Sequence, residues 1–124
     1  MDENETSVPT RLGTDSSILN TVKAMLGPAA DYDAFDLDII VHINSAFERL
    51  CELGVGPAKT YSIEGADDRW NDFITDCPWQ VIRYVVLYVK KIFDPTANAT
   101  IKQSYEEELN KLEWLINSVS EVGY

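Results

Sequence analysis

The sequence FDLDIIVHINSAFERLCELGVGP, residues 35–57, decides the fold of this chain. Its apolar residues recur three and four positions apart, which predicts an amphipathic helix with one broad apolar face. The carboxylate of Asp33 or Asp36 is expected to cap its start, because the free N–H groups and the helix dipole favour an acceptor there. The Gly-Val-Gly-Pro run at 54–57 predicts its end. The apolar face consists of Ile39, Ile43, Ala46, Phe47, Leu50 and Leu53.

A second, smaller apolar patch is expected on the opposite side of the same helix. Leu37 and Val41 fall there, beside Asn44 and Glu48. Two apolar side chains on an otherwise polar face need a neighbour that covers them. That neighbour is either another part of the chain or another subunit.

The rest of the chain predicts an all-α fold, a small bundle of four to five helices with a long C-terminal helix. The longest connection is a loop over residues 58–72, in which the alternating residues 60–63 can hold a short extended segment. Residues 1–13 are expected to be a flexible acidic arm, and residues 14–124 a single domain. The further helical segments are predicted at residues 15–26, 67–74, 78–93 and 98–122.

The segment 78–93 is expected to be the most buried helix, because apolar residues surround it on nearly all sides. Its core, VIRYVVLYV, is rich in β-branched and aromatic residues and would also suit a strand. The length of the segment and a proline in its first turn favour a helix. Tyr84 and Tyr88, four residues apart on its less apolar side, are either interface residues or the rim of the core.

The C-terminal helix carries a short heptad seam with Trp114 and Leu115 beside it. Two alternatives are open for this helix. It packs lengthwise on its own domain, or its distal part reaches a neighbouring subunit or partner. The seam consists of Tyr105, Leu109, Leu112, Ile116 and Val119.

The chain of 124 residues has a formal net charge of −11, which disfavours gripping the phosphate backbone of nucleic acid. No apolar run approaches the roughly 20 residues of a membrane-spanning helix, and the acidic N-terminus does not resemble a signal peptide. The protein is therefore expected to be soluble and intracellular when it is made.

No catalytic, cofactor or metal site is predicted. The aspartates at positions 31, 33, 36 and 38 do not fit a calcium loop, because the glycine and glutamate that such a loop requires are missing. His42 is the only histidine and has no evident catalytic partner in the sequence. Cys51 and Cys77 do not have the spacing of metal ligands. The sequence therefore does not predict an enzyme.

Five blocks occur in an order that resembles the head–tail connector (portal adaptor) family of tailed bacteriophages, over about residues 18–118. The resemblance implies a structural head-completion protein of the virion with no cofactor. The blocks are TVKAMLG, the stretch quoted first, Trp70-Asn71-Asp72-Phe73, VIRYVVLYVKKIFDP and YEEELNKLEWLI.

The same resemblance implies a twelve-fold ring beneath the portal protein, formed in the host cytoplasm and retained in the virion neck. Such a ring extends the DNA channel and docks the next neck or tail protein. DNA would pass an acidic channel wall without specific binding, and no membrane is involved. The residues expected at the subunit or portal interface are Leu37, Val41, Tyr84, Tyr88, Trp114, Leu115 and Val119.

The alternative function is a small acidic regulatory or DNA-mimic protein that occupies a basic site on a partner. A mimic needs carboxylates spaced like phosphates on one face. The acidic residues here are scattered over helix ends and several helix faces, which counts against mimicry. A small enzyme is a third possibility, and it would have only one histidine to use.

Overall fold

A computed structural model describes residues 16–26, 33–57, 59–93 and 98–121, with side chains up to residue 118. Within these ranges the chain forms five α-helices and no strand, which confirms the predicted all-α class and the long C-terminal helix. The expected flexible arm, residues 1–13, lies outside the described residues. The helices are α1 (Ile18–Met25), α2 (Asp36–Glu52, preceded by a 3-10 turn at Asp33–Phe35), α3 (Trp70–Phe73), α4 (Trp79–Phe93) and α5 (Ala99–Glu121).

Helix α4 lies at the centre of the bundle and packs against α1, α2 and α5. Burial on nearly all sides explains why its sequence is so rich in β-branched and aromatic residues, and the strand alternative is wrong. Its exposed residues are Trp79 and Ile92 near the two ends and Arg83 between them. Its buried residues are Val81, Ile82, Tyr84, Val85, Val86, Leu87 and Val89.

Helix α2 ends as its glycines predict. The N–H of Val55 donates to the carbonyl of Leu50 at 2.9 Å, and the N–H of Gly54 donates to the carbonyl of Cys51 at 3.0 Å. This pair of bonds is a Schellman motif, which requires a left-handed residue, and Gly54 has a φ of 84°. The predicted apolar face is buried except for Leu53, which is half-buried. Its fully buried members are Ile39, Ile43, Ala46, Phe47 and Leu50.

The predicted capping of α2 by Asp33 or Asp36 is wrong. Phe35 occupies the N-cap position, which a phenyl ring cannot cap by a hydrogen bond. The two carboxylates instead lie 3.2 and 2.7 Å from the ammonium of Lys23, a buried residue of α1. A buried cation needs such partners, and the bond to Asp36 raises the pKa of Lys23 in spite of its burial. These aspartates therefore tie α1 to the start of α2.

Helix α1 begins at a Ser17 cap, whose hydroxyl accepts the N–H of Asn20 at 3.2 Å. Ile18, Leu19 and Val22 are its buried apolar residues. Met25 is half exposed, because the buried residues of the last turn of α1 are Val22 and Lys23.

The loop before α3 covers one edge of α2 without forming a strand. The amide of Asn44 on α2 donates to the carbonyl of Ile63 at 3.1 Å and accepts the N–H of Ile63 at 2.8 Å. A helix side chain thus supplies the two hydrogen bonds that a neighbouring strand would make. The rings of Tyr61 and Phe73 then pack against Phe47, with centroids 5.2 and 4.5 Å away.

Helix α3 anchors the end of this loop against α1. The indole N–H of Trp70, a fully buried residue, donates to the hydroxyl of Thr21 at 3.2 Å. An isolated antiparallel bridge pairs Ser17 with Arg69 beside it. Trp70 and Phe73 face inward.

Helix α5 packs lengthwise on α4 through its seam, where Leu109, Leu112 and Ile116 are buried and Tyr105 is half-buried. The side chain of Asn98 caps its start by accepting the N–H of Ile101 at 2.9 Å. The first of the two alternatives for this helix is therefore correct along the seam. The opposite side of the helix remains exposed.

Candidate interaction surfaces

The exposed residues among those expected at an interface fall on two helices. The first group is the outer α2 surface, formed by Leu37, Val41 and Glu48. Leu37 is 73% exposed and Val41 is 53% exposed. The loop that covers Asn44 does not reach these two side chains. Among the described residues, this apolar patch therefore has no neighbour that covers it.

The second group is the outer α5 surface, formed by Lys111, Trp114 and Leu115. Trp114 and Leu115 follow Lys111 by three and four positions, so the three side chains share one face of the helix. Trp114 is 68% exposed and Leu115 is 36% exposed. This face points away from the buried seam, so helix packing within the described ranges leaves it exposed.

A polar cluster joins α2, α4 and α5 and fixes how the two surfaces are placed. The guanidinium of Arg49 on α2 donates to the carboxylate of Glu113 on α5 at 3.0 and 3.3 Å. The hydroxyl of Tyr84 on α4 donates to the same carboxylate at 2.6 Å. Arg49 also pairs with Glu52 at 2.9 Å.

The pKa values in this cluster follow from its contacts. Burial alone would raise the pKa of Glu113, but the hydrogen bonds from Arg49 and Tyr84 outweigh it and lower this pKa. Burial, followed by the bond to Glu113, raises the pKa of Tyr84. The bonds to Glu113 and Glu52 raise the pKa of Arg49. At neutral pH the cluster is an ion pair with a neutral phenol, so it is a structural clamp between three helices.

The two surfaces are separate. Trp114 directly follows Glu113 and therefore lies level with Arg49. Val41 precedes Arg49 by two turns, about 12 Å along the axis of α2. The apolar part of the outer α2 surface and the outer α5 surface thus lie on different helices and at different heights of the bundle.

The remaining expected interface residues do not extend either surface. Tyr84 is only 1% exposed, so it belongs to the inside of the bundle. Tyr88 is half-buried against the core, with its ring centroid 6.1 Å from that of Tyr84. The side chain of Val119 lies outside the described residues.

Trp79 is an exposed aromatic residue that the sequence pattern did not single out. It begins α4 and is 61% exposed. Its position directly after a proline was a signal, because the first residues of a helix often lie beyond the helices that pack against it.

The residues that could carry chemistry include His42 and Cys77, which pack within the described part of the bundle. No group of histidine, cysteine, aspartate and glutamate there could hold a metal ion. His42 packs its ring edge-on against Phe93, with centroids 5.4 Å apart. Burial raises the pKa of Cys77 to about 12, so its thiol stays protonated and unreactive. Of the helices in these ranges, none is long and apolar enough to cross a membrane.

Comparison with known proteins identifies the family. The chain matches the family model described as phage connector protein over residues 18–123. Because the match covers most of the chain, this protein belongs to the phage connector protein family, which confirms the resemblance to head–tail connectors. Comparisons with curated proteins and with solved structures gave no significant match. The family is structural, and membership implies a place in the virion and contact with other head or tail proteins.

Proposed function

We propose that this protein is a head–tail connector subunit that assembles into a ring beneath the portal and extends the DNA channel. Membership of the connector family supports the general role. The presence of two separate exposed surfaces with apolar side chains, on α2 and on α5, supports assembly in particular. Large apolar side chains that a folded chain leaves uncovered commonly mark contact sites for other proteins.

A ring explains why there are two different surfaces. A two-fold dimer uses the same surface on both subunits, whereas a ring joins one surface of each subunit to a different surface of the next. The outer α2 surface and the outer α5 surface differ in composition and position, so they meet this requirement. A twelve-fold ring would match the symmetry that the family resemblance implies.

The acidic character suits a channel that DNA must pass. The sequence has 21 acidic and 10 basic residues, and several of the basic residues are already paired within the chain. Arg83 pairs with Glu108 at 3.1 Å and Lys91 with Glu106 at 3.2 Å. A wall with excess negative charge repels phosphates, so DNA would move along it without specific binding. The portal protein and the next neck or tail protein are the proposed partners, first in the host cytoplasm and then in the virion.

Negative-stain electron microscopy of the purified protein, alone and mixed with the portal protein of the same phage, tests the proposal. We expect rings, either free or formed on the portal, and their images give the symmetry directly. A compact monomer in both samples would contradict the proposed function. An acidic regulatory protein would then be the better interpretation.

A further inference from the structure

We propose that, in the ring, the outer α5 surface of one copy packs on the outer α2 surface of the next copy. Trp114 lies against Val41 and Leu37, and the ammonium of Lys111 faces the carboxylate of Glu48. This inference rests on the proposed ring and assigns the contact that builds it. The partner of each surface is a second copy of this chain.

The apolar parts of the two surfaces complement each other. The outer α2 surface offers two small aliphatic side chains one turn apart, which form a shallow apolar strip. The outer α5 surface offers Trp114, a large planar ring, beside Leu115. Tryptophan is the residue that most often dominates the binding energy of a protein interface when it packs in an apolar site. The planar ring of the outer α5 surface can therefore pack on the shallow apolar strip of the outer α2 surface.

The charged parts also complement each other. Lys111 is exposed next to Trp114, and it makes no ion pair with any residue that the structure describes. Glu48 is exposed two turns beyond Val41, and within the described ranges it too has no ion pair. Subunits with a net charge of −11 repel one another, so a contact between them gains from a local pair of opposite charges.

The spacings agree when the two helices cross in opposite directions. Lys111 and Trp114 are about 4.5 Å apart along α5, and Val41 and Glu48 are about 10.5 Å apart along α2. With Trp114 over Val41, the long side chain of Lys111 spans the remaining distance to Glu48. Leu115 then extends in the other direction, toward Leu37.

Pairing of like surfaces is less favourable. Two outer α2 surfaces would bring Glu48 and the exposed Asp38 of both copies together, and two outer α5 surfaces would oppose their lysines. Like charges across an interface disfavour that association. The charges therefore select the head-to-tail contact that a ring needs.

A mixing experiment with two variants tests this contact. Val41→Glu disables the outer α2 surface and leaves the outer α5 surface intact. Trp114→Ala disables the outer α5 surface and leaves the outer α2 surface intact. Under conditions in which the wild type forms rings, each variant alone should remain monomeric. An equimolar mixture should form a dimer and nothing larger, because only one productive contact remains. Light scattering after size-exclusion chromatography measures the mass.

The matched control is Met25→Glu, which places the same charge at a half-exposed apolar residue outside both surfaces. This variant should form rings as the wild type does. Wild-type rings combined with no dimer in the mixture would overturn the assigned contact and leave the proposed function standing. A wild type that forms no ring, free or on the portal, would contradict the proposed function itself.

Two further measurements locate the contact more closely. Lys111→Glu and Glu48→Lys should each weaken assembly about tenfold, and the double variant should recover it. For rings that form only on the portal, the double variant Leu37→Cys, Leu115→Cys keeps Val41 and Trp114 and should give a ladder of covalent multimers on oxidation. Each single cysteine variant is the control for Cys51 and Cys77. Failure of both the recovery and the ladder would overturn the assignment.

Discussion

Both faces of α2 carry apolar residues, but those on the inner face are buried and those on the outer face are exposed. On the inner face, Ile43, Phe47 and Leu50 are fully buried against α4 and the aromatic residues of the loop. On the outer face, Leu37 and Val41 are mostly exposed. The helix therefore serves two purposes, since its inner face stabilises the fold and its outer face is available for assembly. An apolar stripe predicts that a partner exists, and the surrounding structure decides whether that partner lies in the same chain.

The largest expected effect is on the inner face. Phe47→Ala should lower the free energy of unfolding by about 3–5 kcal/mol, because it leaves a cavity among Tyr61, Trp70 and Phe73. Urea denaturation followed by circular dichroism measures this change. Val41→Ala on the outer face is the control and should cost less than about 0.5 kcal/mol. Equal losses of unfolding free energy in the two variants would contradict the view that only the inner face stabilises the fold.

The loop that completes the inner face depends on Gly56. This residue has a φ of 92°, and a methyl group there would lie 2.5 Å from Cε1 of Phe73. Gly56→Ala should therefore cost about 1–3 kcal/mol in stability. Gly65→Ala in the same loop is the control, because a methyl group there would meet no atom within 4 Å. A thermal melt that ranks the two variants the other way round would contradict this account of the loop.

The clamp formed by Arg49, Tyr84 and Glu113 should contribute less to the free energy of unfolding. Its contribution should also depend on pH. Glu113→Gln should cost about 1 kcal/mol at pH 7, a small value because Arg49 is partly exposed to solvent. The folded pKa of Glu113 is lowered, so its contribution is fully present above its unfolded pKa, near 4.5. The contribution should be lost as the pH falls from there through the folded pKa.

The measurement is the difference in unfolding free energy between wild type and Glu113→Gln across this pH range. Taking the difference cancels the titration of the other acidic residues. A difference that stays constant from pH 7 to the acid limit would show that the charge of Glu113 does not stabilise the fold.

The smallest expected effect on stability belongs to Val41→Glu on the outer face. Its unfolding free energy should stay within about 0.5 kcal/mol of the wild type, because the side chain remains in solvent in the isolated subunit. Ring formation, examined by microscopy, should nevertheless be lost. An unchanged ring would exclude the outer α2 surface from the subunit contact.

The sequence alone determined the features that depend on neighbours within one or two turns of a helix. Helical spacing predicted α2, α4 and α5 to within a few residues, and it separated Ile39 and Ile43 from Leu37 and Val41. The glycine at position 54 predicted the end of α2, because the left-handed turn there is a local property of the backbone. The order of the five sequence blocks also led to the family that the later comparison found.

Only the tertiary structure decided which residues from distant parts of the chain meet. Asp33 and Asp36 bind Lys23 where local rules predicted helix caps, because a buried ammonium has a greater need for them. Tyr84 lies inside the bundle, although its spacing left open whether it belongs to an interface or to the rim of the core, and Trp79 lies outside the bundle. Spacing tells which side chains share a face, whereas burial depends on where the neighbouring helices begin and end. The positions of those helix ends depend on residues far apart in the sequence, which come into contact only in the folded chain.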